Sequence, residues 1–366
     1  VKVTETVVKS STGAIEHVDI VKVTNISDTI DKLKKYGFTV YGAEADGQNY
    51  YYEEKLKDNR ILADIEDENV KSMIMLNPYT ISLFNKKYKL DYIVAVATGK
   101  EFKRQGFMRR LLNKVLIDMN STNIPFTYLI PANKDYYLPF DFSFVAGKNE
   151  YNADLSGFKK QVISGKKTDK ELAGKILDFI NEEVSKDNDV YTYRDLPYFI
   201  RELKEIASEN GYINIYSDKE EIVAVESFWG IKKQELKERI VSSDISKREY
   251  GKDNIMIRIT DIVELLSNFT SNEEIDIIIK INDNIIDSQN SYFRIEMDKF
   301  SSKITGISDI GDKSFVEFDI ADFTSWIFGY VSEAKCRFIN FFDISSAKKS
   351  LDAINKVRGI FINELV

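Results

Sequence analysis

Residues 90–119 carry a pattern that few folds accommodate. The apolar run Val94-Ala95-Val96-Ala97-Thr98 leads through a basic, glycine-bearing loop, Lys103-Arg104-Gln105-Gly106, into Phe107–Met119. There Met108, Leu111, Leu112, Val115, Leu116 and Met119 recur at steps of three and four, the helical period. The order is therefore strand, loop, helix. A helix N-terminus offers backbone N–H groups without partners in its own first turn, and the positive end of its dipole, so it can hold a pyrophosphate. Gly106 lets that backbone approach closely, and Lys103, Arg104, Arg109 and Arg110 add fixed positive charge. The bland alternative is an ordinary basic loop ahead of a core-packing helix.

That basic cluster stands in an acidic chain. Lys+Arg total 51 against 59 Asp+Glu, a net charge of −8. Such a surface repels polyphosphate, which argues against a nucleic-acid partner and suits a small cationic substrate. The 366 residues exceed what one hydrophobic core supports, roughly 250 to 300, so two or three domains are expected. A content of 43% hydrophobic, 12% aromatic and 30% charged residues excludes collagen-like and wholly disordered chains. The single Cys336 cannot form an internal disulfide, and the lone His17 leaves almost nothing for a structural zinc site. No metal is expected, and the reducing cytoplasm is the expected home. No apolar run approaches the roughly 18 residues of a membrane span, and Val1–Ser10 does not read as a signal peptide.

All five prolines, Pro78, Pro125, Pro131, Pro139 and Pro197, precede the last part of the chain, which points to a change of architecture there. Boundaries are placed near 151 and 250. Before the helix, Arg60–Ile65, Val70–Phe84 and Leu90–Thr98 read as an antiparallel meander with turns at Glu66–Asn69 and Asn85–Lys89. After it come a strand at Phe126–Ile130, a short helix at Ala132–Tyr137 and a strand at Phe140–Val145. The middle region opens on a helix whose Thr168-Asp169-Lys170-Glu171 start resembles a capping box. A second helix near Asp195–Asn210 is stopped by Gly211, and a hairpin of Tyr212–Tyr216 and Glu221–Phe228 follows. Strands Met256–Ile259, Glu274–Ile281, Tyr292–Met297 and Phe315–Ile320, with helices at Ile262–Phe269, Ala321–Tyr330 and Ser345–Asn355, complete an α+β module.

From Tyr92 to Leu112 the chain resembles the acetyl-CoA-binding motif of GCN5-related N-acetyltransferases (GNAT). It departs from the family pattern Arg/Gln-x-x-Gly-x-Gly/Ala, with Lys103 at the first position and Met108 at the last. Ser72–Tyr79, Pro125–Ala132, Tyr137–Phe142, Met256–Ile259 and the ending Gly359–Val366 resemble multidomain acetyltransferases of the enhanced-intracellular-survival type. The resemblance implies a mixed α+β fold: a GNAT acetyl-CoA-binding domain at 51–150, a second GNAT-like domain at 151–250 and a sterol-carrier-like domain at 251–366. It also implies acetyl-CoA as co-substrate, bound by Val96, Ala97, Thr98, Lys103, Arg104, Gln105, Gly106, Phe107, Met108 and Arg109. Tyr137 matches the family's general acid, and the carboxylate of Val366 would act as base or as electrostatic partner of the amine. Aromatic packing is the other reading of Tyr137. The family assembles into rings, which makes a homo-oligomer an expectation.

Residues 11–47, among them Ser11-Thr12-Gly13-Ala14-Ile15-Glu16-His17-Val18 and Leu33-Lys34-Lys35-Tyr36-Gly37-Phe38, resemble an internal piece of SpoU-type ribosomal RNA 2′-O-methyltransferases. The segment 1–50 is read as that piece, either a natural fusion or a junction. The family's other cofactor motifs are absent, which argues against methyl transfer and S-adenosylmethionine binding. The function expected is acetyl transfer to an aminoglycoside, polyamine or lysine-like amine. The alternative from another class is a binding protein with a pocket for a lipid-like ligand in the last domain, and acetyl-CoA affinity separates the two.

Overall fold

The computed structural model describes residues 59–66, 69–164, 169–231 and 233–364. The methyltransferase-like segment, with His17, and the terminal Val366 lie outside them. Seventeen strands are described: β1 Arg60–Glu66, β2 Asn69–Leu83, β3 Lys86–Thr98, β4 Phe126–Leu129, β5 Ser143–Asn152, β6 Lys159–Ser164, β7 Val190–Thr192, β8 Tyr212–Asp218, β9 Glu221–Trp229, β10 Glu235–Val241, β11 Lys247–Ile259, β12 Ile275–Asn282, β13 Tyr292–Met297, β14 Ser302–Ile307, β15 Phe315–Asp319, β16 Arg337–Ile339 and β17 Ile360–Phe361. The α-helices are α1 Phe107–Ser121, α2 Lys170–Asp187, α3 Leu196–Ser208, α4 Ile262–Leu266, α5 Ile320–Ile327 and α6 Ile344–Ala353. No helix among the described residues is long and apolar enough to cross a membrane.

The chain divides into two compact units, Val1–Pro78 with Asp91–Val115, and Tyr79–Leu90 with Leu116–Val366. In the first, β1 runs antiparallel to β2, from Arg60 opposite Leu76 to Glu66 opposite Asn69. Ile74, Leu76, Tyr92, Ile93, Leu111, Leu112 and Val115 are buried there, so alternate residues of β2, both faces of β3 at Tyr92 and Ile93, and the apolar stripe of α1 supply its core.

In the second unit the β2–β3 connection is tighter than the expected Asn85–Lys89 turn. Phe84 and Asn85, with φ of 47° and 67°, make the turn alone. Two left-handed central residues match the twist of paired strands. Asn85 tolerates that conformation; Phe84 gains an edge-on contact with buried Phe269, ring centroids 4.8 Å apart. The lysine-rich stretch that reads as loop continues as strand, because Glu264 accepts hydrogen bonds from Lys86 Nζ at 2.9 Å and Tyr88 Oη at 2.7 Å.

Strand β11 pairs on one side with β4, Phe126 opposite Ile259 through Leu129 opposite Met256. On its other side it pairs with β5, from Ser143 opposite Ile257 to Asn152 opposite Lys247. Ile255, Met256, Ile257 and Ile259 are all fully buried, as a strand covered on both faces requires. The chain's last strand, β17, lies parallel to β7, which is antiparallel to β2.

The middle region is a four-stranded sheet, β10-β9-β8-β6, packed by α2 and α3 over Ile176, Ile180, Phe199, Leu203, Ile213 and Ile215. Asp169 caps α2, its carboxylate accepting from the amides of Glu171 and Leu172. Gly211 ends the next helical segment because a Cβ there would sit 2.0 Å from the carbonyl oxygen of Phe228. The last sheet, β14-β13-β12-β15-β16, pairs β12 with β15 in parallel, and Phe318 of β15 meets Phe323 edge-on at 5.2 Å and stacks on Trp326 at 5.7 Å.

Candidate functional site

The basic loop grows out of an interrupted strand. Ala95 adopts φ 49° in the middle of β3, a left-handed conformation that costs a residue with a Cβ about 1–2 kcal/mol. Beyond it Val96, Ala97 and Thr98 are half-buried. Ser72 Oγ donates to the Ala97 carbonyl at 2.9 Å and lies 3.1 Å from Thr98 Oγ1, so this end of β3 is held from β2. The Gly99 amide donates to the Lys71 carbonyl at 2.9 Å, and a short 3-10 turn, Lys100–Phe102, follows.

The loop is anchored by rings and cations. Lys71 Nζ sits 4.0 Å over the Phe102 ring, which meets Phe107 edge-on at 5.8 Å. Arg110 lies over Phe107 and grips Asp64 through two hydrogen bonds, of 2.7 and 2.9 Å. That guanidinium holds the Asp64 carboxyl below its ordinary range. Arg110 therefore ties the helix to β1. Lys103, Arg104, Gln105, Gly106 and Arg109 are exposed, Met108 is half-buried and Phe107 is buried. Buried Lys71 escapes sequence reasoning because nothing in its strand distinguishes it from an edge lysine.

The loop's backbone fits a pyrophosphate. Arg104 has φ 63° and Gly106 φ 90°, and a Cβ built on Gly106 would find no atom within 4 Å. Glycine is required there by its dihedral angle, and its open side faces space that a ligand can fill. The first intrahelical bond runs from the Arg110 amide to the Gly106 carbonyl at 2.9 Å, so the amides of Phe107 and Met108 precede it at the positive end of α1. No acidic residue occupies that first turn.

Tyr137 belongs to the second unit, and Val366, the other expected catalytic group, lies outside the described residues. The expected helix Ala132–Tyr137 is instead two 3-10 turns, Lys134–Tyr136 and Leu138–Phe140, with Tyr137 between them. Pro139 is the reason: it lacks the N–H that a continuing α-helix would use. The Tyr137 amide donates to the Lys134 carbonyl at 2.9 Å and its carbonyl accepts from the Phe140 amide at 3.0 Å. Its ring is half-buried, edge-on to Phe142 at 6.0 Å, and burial pushes the phenol above its ordinary range.

The middle region holds a buried charge cluster that spacing could not assemble. Arg194 makes two hydrogen bonds to Glu238, of 2.6 and 2.7 Å, and Lys237 Nζ donates to Glu202 at 3.0 Å. Tyr198 Oη donates to Glu364 at 3.0 Å. All five charged residues are buried. Burial works to raise the Glu202 carboxyl, but Lys237 and Arg194 outweigh it and hold the group down. For Glu364 burial wins and the carboxyl is pushed up.

Residues 24–145 match the model of an acetyltransferase (GNAT) domain. The chain carries a GNAT acetyltransferase domain. Residues 245–364 match a sterol carrier protein domain, so the acetyltransferase-type domain is joined to a second, recognisable module. The fold resembles that of a conserved protein of unknown function from Enterococcus faecalis V583, described as a probable N-acyltransferase, at 15% identity and a TM-score of 0.67 over 84% of this chain and 89% of that one. A GCN5-related N-acetyltransferase from Anabaena variabilis gives 12% and 0.65 over 84% and 89%, and Eis1 from Mycobacterium abscessus 11% and 0.58 over 84% and 90%. At such identities the likeness is one of fold.

A stretch of 51 residues is 55% identical to a TrmH-family tRNA/rRNA methyltransferase of Staphylococcus haemolyticus, and equally to one of Staphylococcus aureus. The chain spans about a fifth of the length of these curated relatives, and the stretch is 14% of this chain. The acetyltransferase match begins at residue 24, within the segment that resembles the methyltransferases.

Proposed function

We propose that the chain transfers an acetyl group from acetyl-CoA directly to the nitrogen of a small cationic amine, such as an aminoglycoside, a polyamine or a lysine side chain. The N-terminal end of α1 carries this reading: an open left-handed glycine, a positive dipole end, and exposed Lys103, Arg104 and Arg109 in an otherwise acidic chain. Lys103–Arg109 would hold the pyrophosphate, and the backbone of Val96–Thr98, beyond the break at Ala95, the pantetheine and thioester.

The neutral amine attacks the thioester carbonyl; a C–N bond forms, the C–S bond breaks, and the thiolate takes a proton. Tyr137 is assigned as that proton's donor. A phenol raised by burial stays protonated at neutral pH, which is the state a general acid needs. The Val366 carboxylate is assigned to receive the amine's proton or to attract the cation. The net charge of −8 favours a cationic acceptor over an anionic one.

Calorimetric titration with acetyl-CoA, with S-adenosylmethionine in parallel, tests the reading. Micromolar binding of acetyl-CoA alone, followed by turnover with an amine, is the expected result. Failure to bind acetyl-CoA would overturn it and bring the ligand-binding alternative forward.

A further inference from the structure

Arg258 is fully buried, and its guanidinium serves three acceptors. Nε donates to the Phe140 carbonyl at 2.9 Å, one terminal nitrogen to the Ile259 carbonyl at 2.6 Å, and the other to Asp283 Oδ2 at 2.7 Å. Asp283 is itself fixed: its Oδ1 accepts from the amides of Ile285 and Ile286, each at 2.9 Å, and its Oδ2 from Gln289 at 3.1 Å. Gln289 in turn accepts from the Ile262 amide at 2.8 Å. A rigid chain of bonds thus runs from the sterol-carrier-like region into the turn that begins at Tyr137.

That turn is also closed by two short backbone bonds, from the Phe140 amide to the Tyr137 carbonyl and from the Asp141 amide to the Leu138 carbonyl, each at 3.0 Å. Tyr136 and Leu138 are exposed, and Asp141 sits in the left-handed region at φ 60°. Phe140 is its buried residue: its amide bonds the Tyr137 carbonyl and its carbonyl is the one that Arg258 grips. Charge-assisted bonds in a dry interior are short and directional. We propose that Arg258, braced by Asp283 and Gln289, is a positioning residue for Tyr137, so that the sterol-carrier-like region sets the geometry of acetyl transfer. This rests on the general-acid reading of Tyr137.

The test is a double-mutant cycle in the full chain, with acetyl-CoA and spermidine, kanamycin or a lysine peptide as acceptor. Arg258→Lys keeps the charge but cannot span three acceptors. It should lower kcat about a hundredfold with KM for acetyl-CoA little changed, as a misplacement of ~1 Å does. In a Tyr137→Phe background it should cost nothing more. Gln289→Met, a milder break in the same chain, should give a smaller loss with the same epistasis and serves where Arg258→Lys does not fold. Equal loss in both backgrounds, or unchanged kcat, overturns the proposal. Full turnover by Tyr137→Phe alone overturns instead the general-acid reading beneath it. Should none of the three amines turn over, amide hydrogen exchange across Lys134–Phe142 still decides the clamp: faster exchange confined to that peptide in Arg258→Lys supports it, and unchanged exchange defeats it.

Discussion

The loop at Gly106 and the buried cluster around Arg194 put the same residue types to opposite uses. In the loop, exposed Lys103 and Arg104 lie beside a helix's positive end whose first turn holds no acid, so nothing within that turn cancels the positive field. In the cluster, Arg194 and Lys237 meet carboxylates at 2.6 to 3.0 Å and the field closes on itself. The difference teaches that a protein's total charge says little about where it binds an anion. A local surplus decides it.

The contrast breaks most visibly if a cluster cation is removed. Arg194→Met leaves Glu238 buried without its partner and should lower unfolding free energy by about 3–5 kcal/mol in urea titration. A loss near zero would mean that the cluster is hydrated and resembles the loop after all. Tyr137→Phe should slow turnover by about a hundredfold while acetyl-CoA affinity stays close to wild type. A large affinity loss at unchanged kcat would remove it from acid catalysis. Gly106→Ala forces a Cβ onto a φ of 90° and into the open side, so acetyl-CoA should bind about tenfold more weakly in calorimetry. Unaltered affinity would show that the loop is not the anion site.

The smallest effect concerns pH. Because the Glu364 carboxyl is pushed up, its proton favours the folded state: that stabilisation is whole below the ordinary glutamate range and is lost as pH rises through the raised value. Glu202 is held down, so its contribution is present above the ordinary range and lost as pH falls. Glu364→Gln should therefore abolish the alkaline-side decline in the urea midpoint and leave the acid-side decline. A wild-type midpoint flat on the alkaline side would contradict the assignment.

What could be read from the chain follows the range of the forces involved. The Gly106 loop and α1 are local: a helical period, a glycine and a run of cations state them within twenty residues. The α2 helix was legible from its capping start, and α3 from the Gly211 that stops it. The turn at Phe84 was not, because its left-handed backbone is stabilised by Phe269, far along the chain. Short strands such as β7, β16 and β17 carry too few residues for a period to show. Arg258 sits in an apolar run that reads as a strand, and nothing local reveals that Phe140 and Asp283 wait on either side of it. The Arg194–Glu238 and Tyr198–Glu364 contacts likewise join distant segments, and only folding brings them together.

The placement of β11 between β4 and β5 has a consequence for biosynthesis. Phe126 finds its strand partner only when Ile259, more than a hundred residues later, has been made. During synthesis β4 and β5 must wait with facing edges unpaired, which slows folding and invites pairing with other chains. A fragment ending at the first domain boundary would keep those edges open for good. The acetyltransferase domain is thus completed by a strand that the ribosome delivers late, and expression of the domain alone should yield aggregates where the full chain stays in solution.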